Sequence, residues 1–324
     1  MLKEAFERLE HGEPLTEEDA IQMLSIQNLS EEYYQLLDMA GRFSRKAYNG
    51  RGYIFAQIGL DVAPCRGNCL FCSLAQCNCG SIRPERKSLE EVLSIVDKID
   101  FKRVTALFLM TTAEYDPEEF LRVGRAVRER IPAAIALVAN TGDFDLNYAL
   151  RLKEAGFTGA YHIVRLGEGV DTGLKPEARE RTLDAIAQAG LRLYYCLEPL
   201  GPEHTYEEMV REMMRARRYH VEVMAAMRRV NVEGTPFQDN GVIDDFEYTK
   251  IVAVTRLVTM PRVSMNVHEP LTIAMLGGVN QLYAEIGVNP RDNNRQTEKN
   301  RGFSVDEVAA MLEAAGYTPC IEGA

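Results

Sequence analysis

Apolar and charged positions recur at helical spacing through the first fifty residues, and then the pattern changes to short apolar runs separated by amphipathic stretches. In the first part, Thr16-Glu-Glu-Asp19 and Ser30-Glu-Glu have the form of N-caps with acidic first turns, which the helix dipole favours. Apolar runs follow at Tyr53–Leu60, Arg103–Thr111, Ala133–Asn140, Gly159–Arg165, Leu191–Glu198 and Val221–Val230, as in parallel strands covered on both faces. Helical patterns fall between them. Ser88-Leu-Glu-Glu91 is a capping box, Pro117-Glu-Glu puts Pro and acids in a first turn, and Gly156 and Gly190 end helices. Two more strands, Arg262–Val267 and Val279–Ile286, follow a helix near Phe246–Thr259. Eight such βα units predict an α/β fold, a closed (β/α)8 TIM-type barrel rather than an open doubly wound sheet. The expected division is an N-terminal helical extension over 1–50, a barrel over 51–303, and a C-terminal helix and tail over 304–324.

Composition adds that 46% of the 324 residues are apolar, enough for a large core, and that the net charge of −11 argues against nucleic acid or anionic membrane as the main partner. The basic cluster Arg215-Ala-Arg-Arg218 lies in an amphipathic helical pattern and reads as a solvated face. Met1–Glu10 is a charged amphipathic helix without an apolar signal core. No apolar stretch approaches the roughly 20 residues that span a bilayer. A cytoplasmic protein in reducing, anaerobic surroundings is the expectation.

The candidate chemistry is concentrated in one loop. Cys65, Cys69 and Cys72 form a C-x3-C-x2-C triplet directly after the first predicted strand. Three thiolates with these gaps suit a [4Fe–4S] cluster, each on a different iron, with the fourth iron open to a small molecule. Zinc is the alternative, but it wants four ligands, usually as two short pairs with a longer spacer. A disulfide framework is disfavoured, because seven cysteines is an odd number and five of them crowd residues 65–79. The loop falls at the carboxyl end of its strand, where barrels carry their active sites. Polar groups end the next strands at Thr111–Asp116, Asn140–Asp143, Arg165–Glu168 and Glu198. A barrel histidine is more often a satisfied polar group than a ligand, and His162 and His268 are the two that could face a substrate.

On these residues the chain resembles the radical S-adenosylmethionine (SAM) enzymes, in their biotin-synthase-like branch. Cys65-x3-Cys69-x2-Cys72, with Phe71 before the last Cys, matches the defining motif. Glu233-Gly-Thr-Pro-Phe-Gln-Asp-Asn240, Ile251–Arg256, Met260-Pro261 and Gly277-Gly-Val-Asn280 resemble stretches of biotin synthase. Glu114-Tyr-Asp-Pro117 and Glu168-Gly-Val-Asp-Thr172 are similar to segments of the hydrogenase-maturation and methylornithine-synthase members. The resemblance implies that Cys65, Cys69 and Cys72 hold [4Fe–4S] and that the open iron chelates SAM. Reductive cleavage then gives a 5′-deoxyadenosyl radical that abstracts hydrogen from an unactivated C–H bond. It also implies SAM contacts from Glu114 (amino group), Glu168 and Arg179 (polar end), Asn140 (ribose or carboxylate) and the Phe71 backbone (adenine). A one-electron donor such as ferredoxin or flavodoxin and a small-molecule or carrier-bound substrate follow from the same resemblance.

The chain departs from biotin synthase in lacking Cys in Leu107–Met110 and Ile135–Val138, the second and third predicted strands; Cys196 lies in the fifth, beyond Tyr194. Spare thiols instead stand at Cys77, Cys79 and Cys320. If the tail wraps over the barrel mouth, these three could bind an auxiliary cluster, as in lipoyl synthases, and sulfur insertion becomes the sharpest expectation. Carbon-skeleton rearrangement or C–C cleavage of an amino-acid-like substrate is the second, and an iron–sulfur electron carrier the third.

Overall fold

The computed structural model describes residues 2–78, 84–268, 271–287 and 303–320, with backbone alone for 285–287. All eight expected strands form. They are β1 (Arg51–Gly59), β2 (Ala106–Met110), β3 (Ala136–Asn140), β4 (Gly159–Tyr161), β5 (Arg192–Leu200), β6 (Val223–Arg228), β7 (Ser264–Val267) and β8 (Gln281–Gly287). Each pairs in parallel with its sequence neighbours, and β8 returns to β1 through Tyr53↔Gln281 and Phe55↔Tyr283, which closes the barrel. The helices between strands are α4 (Leu89–Val96), α5 (Pro117–Arg130), α6 (Leu146–Glu154), α7 (Pro176–Ala189), α8 (Tyr206–Arg218) and α9 (Asp245–Thr259).

Local signals are honoured. Ser88 and Thr205 form capping boxes, Asp116 caps α5 ahead of Pro117, and Gly190 takes the left-handed stop after α7 at φ 67°. Strand residues alternate between two apolar regions. One lies between strands and helices, and the other fills the barrel interior with Tyr53, Phe55, Phe108, Val138, Tyr194 and Tyr283. In that interior, Phe108 meets Tyr194 and Tyr283 edge to face at ring separations of 5.3 and 5.4 Å. Such packing is favourable beyond area burial alone, and these rings floor the half of the barrel nearer the strand amino ends.

The amino-terminal helices α1 (Leu2–Glu10), α2 (Glu17–Leu24) and α3 (Glu31–Ala47) pack on the last βα units, α3 lying against α9. A buried chain of contacts pins α3. Arg256 Nε donates to Ser44 Oγ at 2.7 Å, and Ser44 Oγ donates to Gly278 O at 2.6 Å. Asn280 then bridges the closing strands, accepting from Met265 N at 2.9 Å and donating to Arg51 O at 3.1 Å. Among the described residues, no helix is long and apolar enough to cross a membrane.

The tail does not follow the expectation. After α10 (Val305–Ala314), β9 (Thr318–Pro319) pairs with Arg51 and Gly52 at the start of β1, and Cys320 N donates to Gly52 O at 2.7 Å. Cys320 therefore sits under the barrel at the amino end of β1, against the Tyr53 side of the interior cluster. The cysteine loop leaves the other end of the same strand, roughly 25–30 Å away along nine residues at about 3.3 Å each. Pairing of the tail with β1 overrides the wrapping that the sequence suggested, and Cys320 cannot join Cys77 in one cluster.

Gly278 has φ 90°, and a Cβ there would stand 2.7 Å from the Ala40 carbonyl oxygen of α3. Gly278→Ala should therefore destabilise the chain by about 2–3 kcal/mol in urea unfolding, from backbone strain and the clash together.

Candidate active site

The loop after β1 is held from three sides. Internally, Cys65 N donates to Leu74 O at 2.7 Å and Gln76 N to Cys65 O at 2.9 Å, while Asn68 takes a left-handed φ of 43°. Towards the loop after β4, Leu70 N donates to Asp171 O (2.9 Å) and Gly173 N to Gly67 O (2.7 Å). From above, the segment after β6 reaches it with Phe237 N donating to Leu70 O at 3.4 Å. That segment is clamped by buried Arg229, which pairs with both oxygens of Glu203 at 2.7 and 2.9 Å and donates to Gly241 O at 2.8 Å. The stretch Glu233–Asn240 is thus the cap over this end of the barrel.

Cys65, Cys69 and Cys72 all face one cavity of about 300 Å³ between this loop and the aromatic floor. Two of the sulfurs receive backbone N–H groups: Gly67 N is 3.4 Å from Cys65 Sγ, and Leu74 N is 3.4 Å from Cys72 Sγ. Such donors stabilise thiolate sulfur in an iron–sulfur site. Burial pushes Cys65 up and Cys69 up to about 12, so deprotonation there depends on a cation. Arg165 supplies part of that charge. It is mostly buried, its charge acts on Cys69, and it lies 3.4 Å from Glu198 and 3.6 Å from Glu168. Among the described residues, no three His, Cys, Asp or Glu side chains gather round a single metal ion. The donor set therefore fits a cubane, whose irons keep three thiolates apart, better than mononuclear zinc.

The predicted contacts divide. Phe71, Asn140 and Arg179 line the cavity. Glu114 and Glu168 stand outside its walls. Glu114 accepts from Arg66 N at 3.0 Å and pairs with Arg66 Nε at 3.1 Å, which steadies the cysteine loop. Glu168 accepts from Arg165 N (3.0 Å) and Thr172 Oγ (2.6 Å), which shapes the loop after β4. Cys77 is exposed beside the triplet, its N donating to Asn68 Oδ1 at 3.1 Å, and Cys79 lies outside the described residues. His268 lines the cavity, whereas His162 is buried behind it. Sequence reasoning assigned no role to Arg165, Tyr161 or Asp143. A charged residue ending an otherwise apolar fourth strand was the available signal for Arg165. Only the fold shows that Tyr161 Oη donates to Glu198 Oε2 at 3.0 Å, or that Asp143 accepts from Arg179 Nη1 at 2.7 Å.

No family model matches the chain. Biotin synthase of Anaplasma marginale is 24% identical over 283 residues, covering 79% of this chain and 83% of that one. Biotin synthase of Rippkaea orientalis is 24% identical over 271 residues, with 79% and 73% covered. Among solved structures, methylornithine synthase (PylB) superposes with a TM-score of 0.83 at 18% identity over 97% of both chains. The FeFe-hydrogenase maturase HydG from Carboxydothermus hydrogenoformans gives a TM-score of 0.78 at 18% identity, over 97% of this chain and 77% of that one. The likeness is to the biotin-synthase-like branch of the radical SAM enzymes. The inward-facing positions of β2 and β3 include Ala106, Phe108, Met110, Ala136 and Val138, and neither strand contains a cysteine.

Behind Arg179, His162 Nε2 stands 3.3 Å from Asp143 Oδ1 but off hydrogen-bond alignment, so neither ring nitrogen has a well-formed partner. Burial, reinforced by Arg179, lowers His162 from its usual 6.5 to about 3. Below pH 6.5 the unfolded chain binds a proton that the folded chain refuses, so stability falls with falling pH down to about 3. Between pH 7 and pH 4 this loss should reach up to about 3 kcal/mol in urea unfolding, and His162→Gln should flatten that part of the profile.

Proposed function

We propose that the chain uses the thiolates of Cys65, Cys69 and Cys72 to hold a [4Fe–4S] cluster and abstracts hydrogen from a small polar molecule enclosed in the barrel. The single observation that carries this reading is the convergence of the three thiols on one buried cavity at the strand carboxyl ends, with backbone N–H groups on two of the sulfurs. When bound, the cluster and SAM supply a reductively generated 5′-deoxyadenosyl radical able to break an unactivated C–H bond.

The chain's own residues bind, orient and exclude. Arg66 with Glu114, and Gly67 with Gly173, fix the thiol-bearing loop to two other strand-end loops. Arg165 places a permanent cation beside Cys69, and its Nη1 is buried without a hydrogen-bond partner. Its pairing with Glu168 at 3.6 Å is longer than a hydrogen bond, so this guanidinium N–H suits a carboxylate of SAM or substrate. Asn140, Arg179 and Phe71 are the further contacts proposed for SAM. The aromatic floor closes the cavity from below, and the cap after β6 narrows its mouth, which limits the approach of water and competing hydrogen donors.

Separation of Cys320 from the cysteine loop speaks against a cluster that joins it to Cys77, and so against the sulfur insertion that such a cluster would serve. Rearrangement or bond cleavage after hydrogen abstraction is therefore the favoured outcome, with a ferredoxin- or flavodoxin-type protein as electron donor.

Anaerobically reconstituted chain, reduced with dithionite, should convert SAM to 5′-deoxyadenosine and methionine. Cys69→Ala should reduce that conversion by about two orders of magnitude or more while leaving the fold intact by circular dichroism. Wild-type chain that is loaded with iron but leaves SAM uncleaved would contradict the reading.

A further inference from the structure

Among the described residues, one thiol besides the triplet lines the cavity. Cys196 stands midway along β5 between Tyr194 of the aromatic floor and Glu198 near the mouth, and period-two alternation turns all three inward. Ladder register sets Cys196 beside Ala225 and Ala225 beside Asn266, so the three form one layer, with the small Ala225 leaving room between the other two. Two buried polar atoms of residues lining this cavity lack hydrogen-bond partners, Asn266 Oδ1 and Arg165 Nη1. The Asn266 amide is not free to turn, since its Nδ2 donates to Gln281 O at 2.9 Å. A fixed acceptor left unmatched in this layer, with Arg165 Nη1 nearer the mouth held only by a loose 3.6 Å pairing with Glu168, marks this part of the cavity as the place of a polar ligand.

The thiol is flanked by the Tyr161 hydroxyl and the Glu198 carboxylate, which are themselves hydrogen-bonded at 3.0 Å. Burial, and then the charge of Glu198, push Cys196 well above the usual thiol range, so it keeps its hydrogen. A packing cysteine needs neither of these polar neighbours.

We propose that Cys196 is the hydrogen-atom donor of the cavity, an inference that rests on the radical SAM reading. Its S–H bond breaks homolytically and the hydrogen atom passes to a carbon radical in the adjoining layer, leaving a new C–H bond and a thiyl radical. One bond breaks, one forms, and no charge moves. The step runs downhill because an S–H bond is weaker than an aliphatic C–H bond. One electron from the same ferredoxin- or flavodoxin-type donor, and one proton passed from solvent through the Tyr161 hydroxyl, restore the thiol.

SAM alone serves as the probe, with no substrate added. Iron-loaded chain is held in D2O until the infrared difference between wild type and Cys196→Ala shows the S–H band replaced by S–D. It is then reduced with dithionite in the presence of SAM, and the 5′-deoxyadenosine is weighed by mass spectrometry. Wild type should give product carrying one deuterium. The labelled fraction, which does not depend on how much product forms, should fall to background in Cys196→Ala and in the near-isosteric Cys196→Ser, whose O–H bond is too strong to donate. Freeze-quenched wild type should show a sulfur-centred radical by electron paramagnetic resonance that Cys196→Ala lacks. Unlabelled product from wild type, an equal labelled fraction in the variants, or no S–H band from Cys196 would overturn the inference and leave the radical SAM reading standing. Absence of 5′-deoxyadenosine from wild type would overturn both.

Discussion

Strand β1 is hydrogen-bonded on both sides, to β2 and to β8, and every other feature of the molecule is referred to it. Its carboxyl end carries the three thiols, its interior face contributes Phe55 to the aromatic floor and Gln57 to the cavity wall, and its amino end receives β9. Its pairing with β2 is in continuous register from Phe55 to Gly59, and its pairing with β8 from Tyr53 to Ala56 before one irregularity ahead of Ile58. A one-residue slip would exchange its inner and outer faces and move the cysteine loop off the cavity. The contacts that close the barrel, Asn280 to Met265 and Arg51, therefore also set where the thiols stand.

Charge organises the space above the floor. The buried guanidinium of Arg165 lies among Glu198, Glu168 and Cys69, and a buried cation is tolerated only with such company. Burial, and then the charge of Glu198, raise Tyr161 and Cys196 against the opposing pull of Arg165, so the phenol and the thiol stay protonated beside a carboxylate. One wall of the cavity thus favours bound anions, and another holds transferable hydrogen. Arg229 and Glu203 close the mouth with a bidentate pair whose remaining donors go to backbone oxygen and Asn231.

Much of the architecture was legible in the sequence. Period and turn chemistry place all eight strands, because interior strands of parallel sheets must be apolar on both faces, and caps such as Thr16, Ser88 and Gly190 are local events. The cysteine loop was equally plain, since the spacing of its thiols is a local property. What escaped was non-local. Whether Glu114 faces a ligand or Arg66 depends on two loops meeting in space, and the same holds for Tyr161 with Glu198. The position of Cys320 was misjudged because two tail residues pair with the start of β1, a choice that no pattern within the tail encodes.

The account depends on three sulfur ligands leaving one iron of the cluster open. Electron paramagnetic resonance of the anaerobically reconstituted, reduced chain, recorded with and without SAM, tests this most directly. A reduced [4Fe–4S] signal that changes on adding SAM, with about four irons per chain, is the predicted result. Iron-free protein, or a cluster signal indifferent to SAM, would contradict it.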